Sequence, residues 1–327
     1  MRPGIAARRG VRTRHLLLAL AALVAAGVLV AALRPGPERR GGVSVAAVGD
    51  ARAAAATPQA APVPCPACDQ DESYWRRLTQ VAPPPLLGKS AALIEGECGR
   101  QLYGVDSHSR RPPASLAKIA TALVVAENAR LSDVVDVTVN GWELSVRDGS
   151  TIMGLEAGMR LTVEELLWGL LLVSGNDAAV QLAEHLGGEQ RFMKLVEGKV
   201  EALGLRDTRF ANPHGLDAPE SYTSAFDVAV LGRALLGTPV LREIVSTQFH
   251  PAAWNGRGLW NGNWLMYIYP DVVGVKTGFT EAAGGTIVAA VERDGRLLIA
   301  SVLDSADVFY DSIRLFDWAF ANLDPAC

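Results

Sequence analysis

Three short groups of polar residues, separated by long stretches of ordinary sequence, could together perform nucleophilic chemistry. The first is Ser115-Leu116-Ala117-Lys118, in which a hydroxyl and an amine stand three residues apart. Residues at this spacing lie on one face of a helix, so the amine could act as the base that activates the hydroxyl. A Ser-x-x-Lys sequence is common by chance, and this pair alone is weak evidence for catalysis.

The residues around this pair predict a helix that begins there. Pro112 and Pro113 stand where a helix accepts proline, at or before its first turn, and an apolar helical pattern continues to Asn128. Ser115 then lies in the first turn, where backbone N–H groups have no intrahelical partner and the helix dipole is positive. The N–H group of Ser115 is therefore a candidate donor to a developing negative oxygen.

The other two groups are Ser174-Gly175-Asn176 and Lys276-Thr277-Gly278. The first interrupts a strongly apolar helical region, which indicates either a functional break or a plain junction between two helices. The second belongs to a strand-like run near the end of the chain. Each exact tripeptide is rare by chance, so the three groups in this order form a strong signal.

Residues 1–72 predict a targeting segment and a spacer. Several arginines precede an uncharged apolar run at 16–33, which is long enough to cross a bilayer, and fewer follow it, so the N-terminus is expected in the cytoplasm. We expect a cytoplasmic basic tail at 1–15, an uncleaved signal anchor, an Ala/Pro-rich linker at 34–72 and a folded domain at 73–325. A cleaved signal, which would give a secreted protein, is the alternative.

Composition narrows the function classes further. The formal net charge of −4 over 327 residues gives no basic surface for nucleic acid. The four cysteines are too scattered for a zinc site, and in an exported protein they favour disulfides, with three pairings open. They are Cys65, Cys68, Cys98 and Cys327. We expect neither a metal nor a cofactor.

Helical patterns fill the middle of the domain and strand patterns its two ends, which predicts an α+β fold. A hairpin is expected at 91–105, and an antiparallel meander at 272–303 followed by a last helix. Thr162 and Glu165 form a capping box before the apolar helix that leads to Ser174. His214 lies in a loop rich in turn residues, which favours a backbone hydrogen-bonding role over catalysis. The aromatic residues at 254–269 are expected to pack in a hairpin or core.

With these motifs the chain resembles the low-molecular-mass penicillin-binding proteins that act as serine-type D-alanyl-D-alanine carboxypeptidases, peptidase family S11. The resemblance extends over about 89–323. The blocks that carry it are Pro113–Lys118, Gly149–Met153, Leu161–Ala179, Asn212–Asp217, Gly274–Thr280 with Ala283-Gly284, and Leu315–Phe320. It implies the DD-peptidase/β-lactamase-like fold, in which an antiparallel sheet is flanked by helices and a mostly helical subdomain, with the site between them.

The resemblance also implies roles for the motif residues. Ser115 would attack the carbonyl of the penultimate D-Ala, Lys118 would accept its proton, and Ser174 would relay a proton to the leaving amine. The expected substrate-binding residues are Asn176, Lys276, Thr277, Gly278 and Phe279. The expected substrates are peptidoglycan stem peptides ending in D-Ala-D-Ala, with β-lactams as inhibitors, outside a bacterial cell membrane.

Some positions depart from the family pattern, and alternatives remain. The family often has a basic residue near Leu297 that helps to hold the substrate carboxylate, whereas here the arginine is Arg296, which a strand would direct to the opposite face. A DD-endopeptidase would use the same residues. A class A-like β-lactamase would need a loop glutamate, which 212–217 does not supply. An inactive wall-peptide-binding module is disfavoured by the intact motifs.

Overall fold

The computed structural model describes residues 81–252, 254 and 256–323. The tail, anchor and linker expected at 1–72 and three of the four cysteines lie outside these residues. The strands are β1 Ser90–Glu95, β2 Gln101–Val105, β3 Val134–Asp136, β4 Arg160–Thr162, β5 Phe249–His250, β6 Leu259–Trp260, β7 Val272–Thr280, β8 Gly284–Arg293 and β9 Arg296–Ser305. The helices are α1 Ala117–Asn128, α2 Gly141–Asp148, α3 Val163–Leu172, α4 Asn176–His185, α5 Glu189–Ala202, α6 Ala225–Leu236, α7 Pro239–Ser246, α8 Leu265–Ile268 and α9 Val308–Asn322.

Five strands form one antiparallel sheet in the order β2-β1-β9-β8-β7. The hairpin β1–β2 and the meander β7–β8–β9 confirm the predicted strands, and the two ends of the domain meet because β1 pairs with β9. Strand β7 is therefore an edge strand of this sheet. Two short antiparallel pairs, β3–β4 and β5–β6, lie apart from it.

Both faces of the sheet are covered. Along β8, Val288 and Ala290 belong to the larger core, which includes α1, α3 and α6, whereas Ile287 and Ala289 belong to a second core packed against α9. This alternation is the two-residue period of a strand whose two faces are both buried. Several helices cover one face of the sheet and α9 covers the other. The edge of β7 that pairs with no described strand lies beside the helical part of the domain.

Most of helix α1 is buried. Every residue from Ala117 to Val125 is buried, as expected for a helix that is apolar on all sides. Lys118 is the charged residue in this buried stretch, and its side chain is fully buried. A 3-10 turn, Ala114–Leu116, leads directly into α1, which confirms that Ser115 lies in the first helical turn.

Local caps fix the ends of several helices. The predicted capping box is present: Glu165 N donates to Thr162 Oγ1 at 3.1 Å, and Thr162 N donates to Glu165 Oε2 at 2.8 Å. Ser224 caps α6 with a single bond, by accepting from Asp227 N at 3.2 Å. These bonds satisfy donors that a helix start leaves unpaired.

Two helices of the structure, α2 and α7, have no counterpart among the elements that the sequence predicts. Helix α2 is capped at both ends: Asn140 accepts from Glu143 N at 3.3 Å, and Gly149 ends the helix with a φ of +68°. Its apolar side chains give no helical pattern of burial, since Trp142 and Val146 are about 70% exposed. Helix α7 is amphipathic and buries Leu241, Ile244 and Val245.

The aromatic segment forms the hairpin β5–β6 and the short helix α8. Phe249 packs against Trp260 across the hairpin with ring centroids 4.7 Å apart, in agreement with the predicted hairpin packing. The alternative of a buried aromatic core is wrong for Trp260 and Trp264, which are 63% and 64% exposed.

Cys98, in the turn between β1 and β2, is disulfide-bonded, as expected of an exported protein. The other cysteines lie outside the described residues, so the choice among the three pairings stays open. Within 81–252, 254 and 256–323, none of the helices has the length and apolar character needed to cross a membrane.

Candidate active site

Ser115 and Lys118 meet at the start of α1. Lys118 Nζ donates a hydrogen bond to Ser115 Oγ at 2.8 Å. The 3-10 turn places the hydroxyl there, and Ala114 in that turn has a φ of +47°, a conformation that costs a non-glycine residue about 1 kcal/mol or more. Such backbone strain is typical of functional sites, where the surrounding structure maintains it.

The surroundings of Lys118 favour the neutral form of its amine. Burial lowers its pKa well below the usual value, the charge of Lys276 lowers it further, and Asp177 opposes both effects. The second hydrogen bond of Nζ is to the backbone oxygen of His214, at 2.8 Å. A neutral amine in contact with a hydroxyl can accept its proton, which is the requirement for a general base.

The loop at 212–217 packs against this turn and against α1. Thr121 Oγ1 of α1 donates to Pro213 O at 2.6 Å, and Gly215 N donates to Asn212 Oδ1 at 2.6 Å. A Cβ atom on Gly215 would lie 1.9 Å from Ala114 O, so no other residue fits beneath the nucleophile's turn without moving the backbone. The loop therefore holds Ser115 and Lys118 in place through its backbone.

His214 confirms the interpretation of a backbone-bonded loop histidine. Its Nδ1 accepts a hydrogen bond from Leu216 N at 3.2 Å. Burial lowers the pKa of His214 to about 4, and the charge of Lys118 acts in the same direction. The ring is therefore neutral at pH 7, and it is the backbone oxygen of this residue that contacts Lys118.

The segment from Ser174 to Asp177 joins α3 to α4. Ser174 has a φ of +61°, and its hydroxyl makes no hydrogen bond with any residue that the structure describes. Gly175 has no space for a side chain, because a Cβ atom would lie 2.7 Å from Asp177 Oδ1 and 3.1 Å from Met153 N. The predicted polar break is real, and it leaves the Ser174 hydroxyl available to a ligand.

Asp177 is a residue to which the sequence analysis gave no role. Its fully buried carboxylate accepts hydrogen bonds from the backbone N–H groups of Met153, Gly154 and Leu155, each at 2.9 Å. It thereby fastens the segment after α2 to the first turn of α4. An acidic residue at a helix start was the available signal, since the helix dipole favours it there.

Asn176 begins α4 and is almost fully buried. Its Nδ2 donates to Ser150 Oγ at 2.8 Å, and its backbone N donates to Thr151 O at 2.8 Å. No hydrogen bond joins Asn176 to Lys118 in the described residues, where the partners of Lys118 Nζ are Ser115 Oγ and His214 O.

Strand β7 carries Lys276, Thr277 and Gly278 along the edge of the sheet. Lys276 is 3% exposed, its Nζ donates to Thr277 O at 2.8 Å, and burial lowers its pKa to about 7. A Cβ atom on Gly278 would lie 2.8 Å from Ser115 N. The glycine thus lets the strand approach the nucleophile's own backbone, with Thr277 half-buried and Phe279 71% exposed beside it.

Leu297, near which the family often has a basic residue, lies far along the sheet from Gly278. Leu297 pairs with Glu292, whereas Gly278 pairs with Thr286, which is six residues away along β8, or roughly 20 Å. Leu297 packs on the helical core, and Arg296 donates to Leu323 O at 2.9 Å on the face toward α9. The register of the sheet therefore removes both residues from the site.

Together these residues bring groups of distinct chemistry to one part of the fold. Helices α1 and α4, the turns before them, and strand β7 hold four kinds of group. They are a hydroxyl bonded to a buried amine, a second hydroxyl with no bond to a described residue, a buried amide, and a second buried amine. The strand edge and the 3-10 turn meet at Gly278 and Ser115. Acyl transfer through a serine nucleophile, with a base and a cationic subsite for a carboxylate, needs this set of groups.

Comparison with known proteins agrees with this geometry. The profile of the D-alanyl-D-alanine carboxypeptidase family, peptidase S11, matches residues 77–307. D-alanyl-D-alanine carboxypeptidase DacD of Escherichia coli K12 is 38% identical over 253 residues, which are 73% of this chain and 65% of that protein. DacB2 of Mycobacterium tuberculosis H37Rv is 34% identical over 70% of this chain and 80% of its own length.

Solved structures show the same fold. A D-alanyl-D-alanine carboxypeptidase from M. tuberculosis H37Rv superposes with a TM-score of 0.69 and 32% identity, covering 75% of this chain and 95% of that one. Penicillin-binding protein 6B of E. coli gives a TM-score of 0.68 and 34% identity over 73% of this chain and 79% of its own. This chain spans less than two thirds of the length of the E. coli DacD protein and of the DacF protein of Bacillus subtilis. By profile, identity and fold, the chain belongs to the D-alanyl-D-alanine carboxypeptidase family, peptidase S11.

Proposed function

We propose that this protein is a serine D-Ala-D-Ala carboxypeptidase that trims peptidoglycan stem peptides through an acyl-enzyme on Ser115. The observation that carries the proposal is the 2.8 Å hydrogen bond between Lys118 Nζ and Ser115 Oγ, made by an amine whose pKa is strongly lowered by burial. Membership of the S11 family supports the same substrate class.

In the acylation step, Lys118 takes the proton of Ser115 while Oγ attacks the carbonyl carbon of the penultimate D-Ala. The backbone N–H groups of Ser115 and Phe279 stabilise the resulting oxyanion, and each such donor is worth about 3 kcal/mol of barrier. Ser174 passes a proton to the leaving D-Ala amine. Water then hydrolyses the ester and releases the shortened peptide.

The substrate's terminal carboxylate is bound beside β7. Lys276 supplies positive charge, Thr277 donates to the carboxylate, and Gly278 keeps the strand edge close to the reacting carbonyl. Asn176 accepts or donates to the substrate backbone from the opposite wall. A β-lactam carries a carboxylate and a strained amide in the same relation, so it would acylate the same serine.

The place of the reaction follows from the N-terminal sequence. We propose that 16–33 anchors the chain in the bacterial cell membrane and that 34–72 spaces an extracytoplasmic domain from it. Membrane fractionation of the full chain, with N-terminal sequencing, tests this. An intact N-terminus in the membrane fraction supports it, and a soluble product that begins after 33 contradicts it.

The catalytic proposal is tested by incubating the full chain with a labelled penicillin and locating the adduct by mass spectrometry. We expect the label on Ser115, and we expect D-Ala release from a pentapeptide that ends in D-Ala-D-Ala. Ser115→Ala should abolish both, whereas Ser246→Ala, at an exposed serine of α7, should change neither. An adduct on another residue of the folded protein would refute the assignment.

The products separate the carboxypeptidase from an endopeptidase. Free D-Ala from an uncrosslinked pentapeptide indicates the first activity, and cleavage of a cross-linked dimer without D-Ala release indicates the second. Rapid turnover of penicillin would indicate a β-lactamase instead. Binding of wall peptides without any covalent adduct would indicate an inactive binding module.

A further inference from the structure

The turn that carries Ser115 lies between two glycines, one from the loop at 212–217 and one from strand β7. A Cβ atom on Gly215 would lie 1.9 Å from Ala114 O, and one on Gly278 would lie 3.0 Å from Ala114 Cβ and 2.8 Å from Ser115 N. The two segments thus meet the same residue from two sides. The φ of +47° at Ala114 is a strained conformation, which persists only where the surrounding structure maintains it.

One hydrogen bond ties the loop to the strand. Thr280 Oγ1 donates to Asp217 Oδ1 at 2.7 Å, and each of these residues stands two positions beyond the glycine of its own segment. Within the part of the chain that the structure describes, no other hydrogen bond joins 212–217 to β7. We call this hydrogen bond the clasp.

The loop end of the clasp is fixed to the catalytic base. Asn212 braces the loop by accepting from Gly215 N at 2.6 Å, and the backbone oxygen of His214 accepts from Lys118 Nζ at 2.8 Å. Asp217 follows this braced segment by one residue. Its carboxylate is therefore attached to a part of the loop that already holds the nucleophile's turn and its base.

The strand end of the clasp is fixed to the turn of the β7–β8 hairpin. Thr280 pairs with Gly284 across the hairpin, and its Oγ1 accepts from Ala283 N at 3.1 Å. A hydroxyl has one proton, and a carboxylate only accepts, so that proton is committed to Asp217. The residue before Thr280 is Phe279, whose backbone N–H is one of the two oxyanion donors proposed above.

We propose that Asp217 and Thr280 are positioning residues whose hydrogen bond fixes the gap between the loop and the strand. This gap sets the separation of the two oxyanion donors, the N–H groups of Ser115 and Phe279. One donor belongs to the turn between the two segments and the other to the strand, so a wider gap moves them apart. The inference rests on the proposed function, since it concerns the geometry of the same acylation step.

The position of the clasp predicts which step it serves. Oxyanion donors act on the charge that develops in the transition state, and they contribute less to binding of the uncharged carbonyl in the ground state. Loss of the clasp should therefore slow the chemical step of acylation and leave the affinity of the non-covalent complex nearly unchanged.

The test is a double-mutant cycle read out by acylation with a fluorescent penicillin. Asp217→Ala and Thr280→Val each remove the clasp. A misplacement of 1 Å can cost about 10²-fold, and the two glycine contacts remain, so we expect each variant to lower the rate constant at saturating penicillin by about 10-fold. The double variant should lose no more than about twofold beyond either single variant, because both remove the same bond. Losses that multiply to about 100-fold would overturn the proposal.

The same measurements separate positioning from direct contact with the ligand. The dissociation constant of the non-covalent complex should stay within about twofold of the wild-type value in both single variants. A weaker complex with an unchanged chemical step would overturn the proposal, because the two residues would then be ligand-binding groups.

Conservative variants keep the proposal testable if Asp217→Ala or Thr280→Val does not fold. Thr280→Ser keeps the hydroxyl donor, and Asp217→Asn keeps an acceptor oxygen without the charge. Each should retain at least about a third of the wild-type rate. A 10-fold loss in either would overturn the proposal, because the groups that form the bond would still be present.

Asp317→Ala is the matched control. Its carboxylate accepts from Tyr269 Oη at 2.7 Å, which is the length of the clasp, and this bond is also exposed but lies on α9. The control should leave acylation unchanged, and a loss equal to that of Asp217→Ala would overturn the proposal. If the wild-type protein is not acylated, the proposed function fails. If it is acylated and Asp217→Ala and Thr280→Val react at the wild-type rate, only this inference fails.

Discussion

Substitution of Gly278 by alanine tests how closely the sheet edge must approach the nucleophile. A Cβ atom there would lie 2.7 Å from Thr286 Oγ1, 2.8 Å from Ser115 N and 3.0 Å from Ala114 Cβ. The contact with Ser115 N is about 0.6 Å shorter than the 3.4 Å at which ordinary van der Waals contact begins. Two of these atoms belong to the nucleophile's turn, so β7 and the turn must separate.

The expected loss follows from what that separation disturbs. The oxyanion donors proposed here, the N–H groups of Ser115 and Phe279, belong to the two segments that would move apart. Complete loss of one donor lowers kcat by roughly 10²–10³-fold, and a misplacement near 1 Å can cost about 10²-fold. We therefore expect Gly278→Ala to slow acylation by about 10- to 100-fold, with about 1–3 kcal/mol of overpacking as the effect on stability.

The assay is the second-order rate constant for acylation by a fluorescent penicillin, measured with the melting temperature of each variant. Gly198→Ala is the matched control, because a Cβ atom in that position of α5 meets nothing within 4 Å, and alanine favours a helix over glycine by about 0.5–1 kcal/mol. It should acylate at the wild-type rate. If folded Gly278→Ala also reacts within about twofold of wild type, the argument that this glycine sets the oxyanion geometry is refuted.

Two further predictions concern buried charge. Asp177→Asn replaces a carboxylate that accepts three backbone N–H groups, so we expect a loss of roughly 2–4 kcal/mol in the free energy of unfolding in urea, against little change for the exposed Asp136→Asn; equal values for the two variants would contradict the clamp. Burial lowers the pKa of Lys276 from 10.5 to about 7. Between these two pH values the unfolded chain therefore holds the proton and the folded chain releases it. The free energy of unfolding should rise with pH across that range. Urea unfolding at pH 7 and pH 9 should show this rise, and Lys276→Met should reduce it by roughly 2 kcal/mol; an unchanged rise in that variant would refute the assignment.

Much of the fold could be predicted because its signals are local. The alternation of apolar residues in β7, β8 and β9, the capping box at Thr162 and the cap at Ser224 are contained within a few residues each. The signals failed where a helix does not bury an apolar stripe. Helix α2 has its caps, but the exposed Trp142 hid its pattern.

The sequence by itself determined the chemical groups of the site and their order along the chain. Rare motifs in a fixed order predict a nucleophile, a base and a carboxylate-binding strand without reference to their positions in space. The start of a helix at Ser115 was also determined locally, by the prolines before it and the apolar run after it.

Only the tertiary structure decided how these groups act on one another. Burial, rather than sequence, lowers the pKa of Lys118, and the close approach of Gly278 to Ser115 joins residues more than 160 positions apart. The sheet register, which depends on the pairing of whole strands, placed Leu297 far from Gly278. Contacts between distant elements depend on packing that no local pattern encodes, and they are what turns separate motifs into one site.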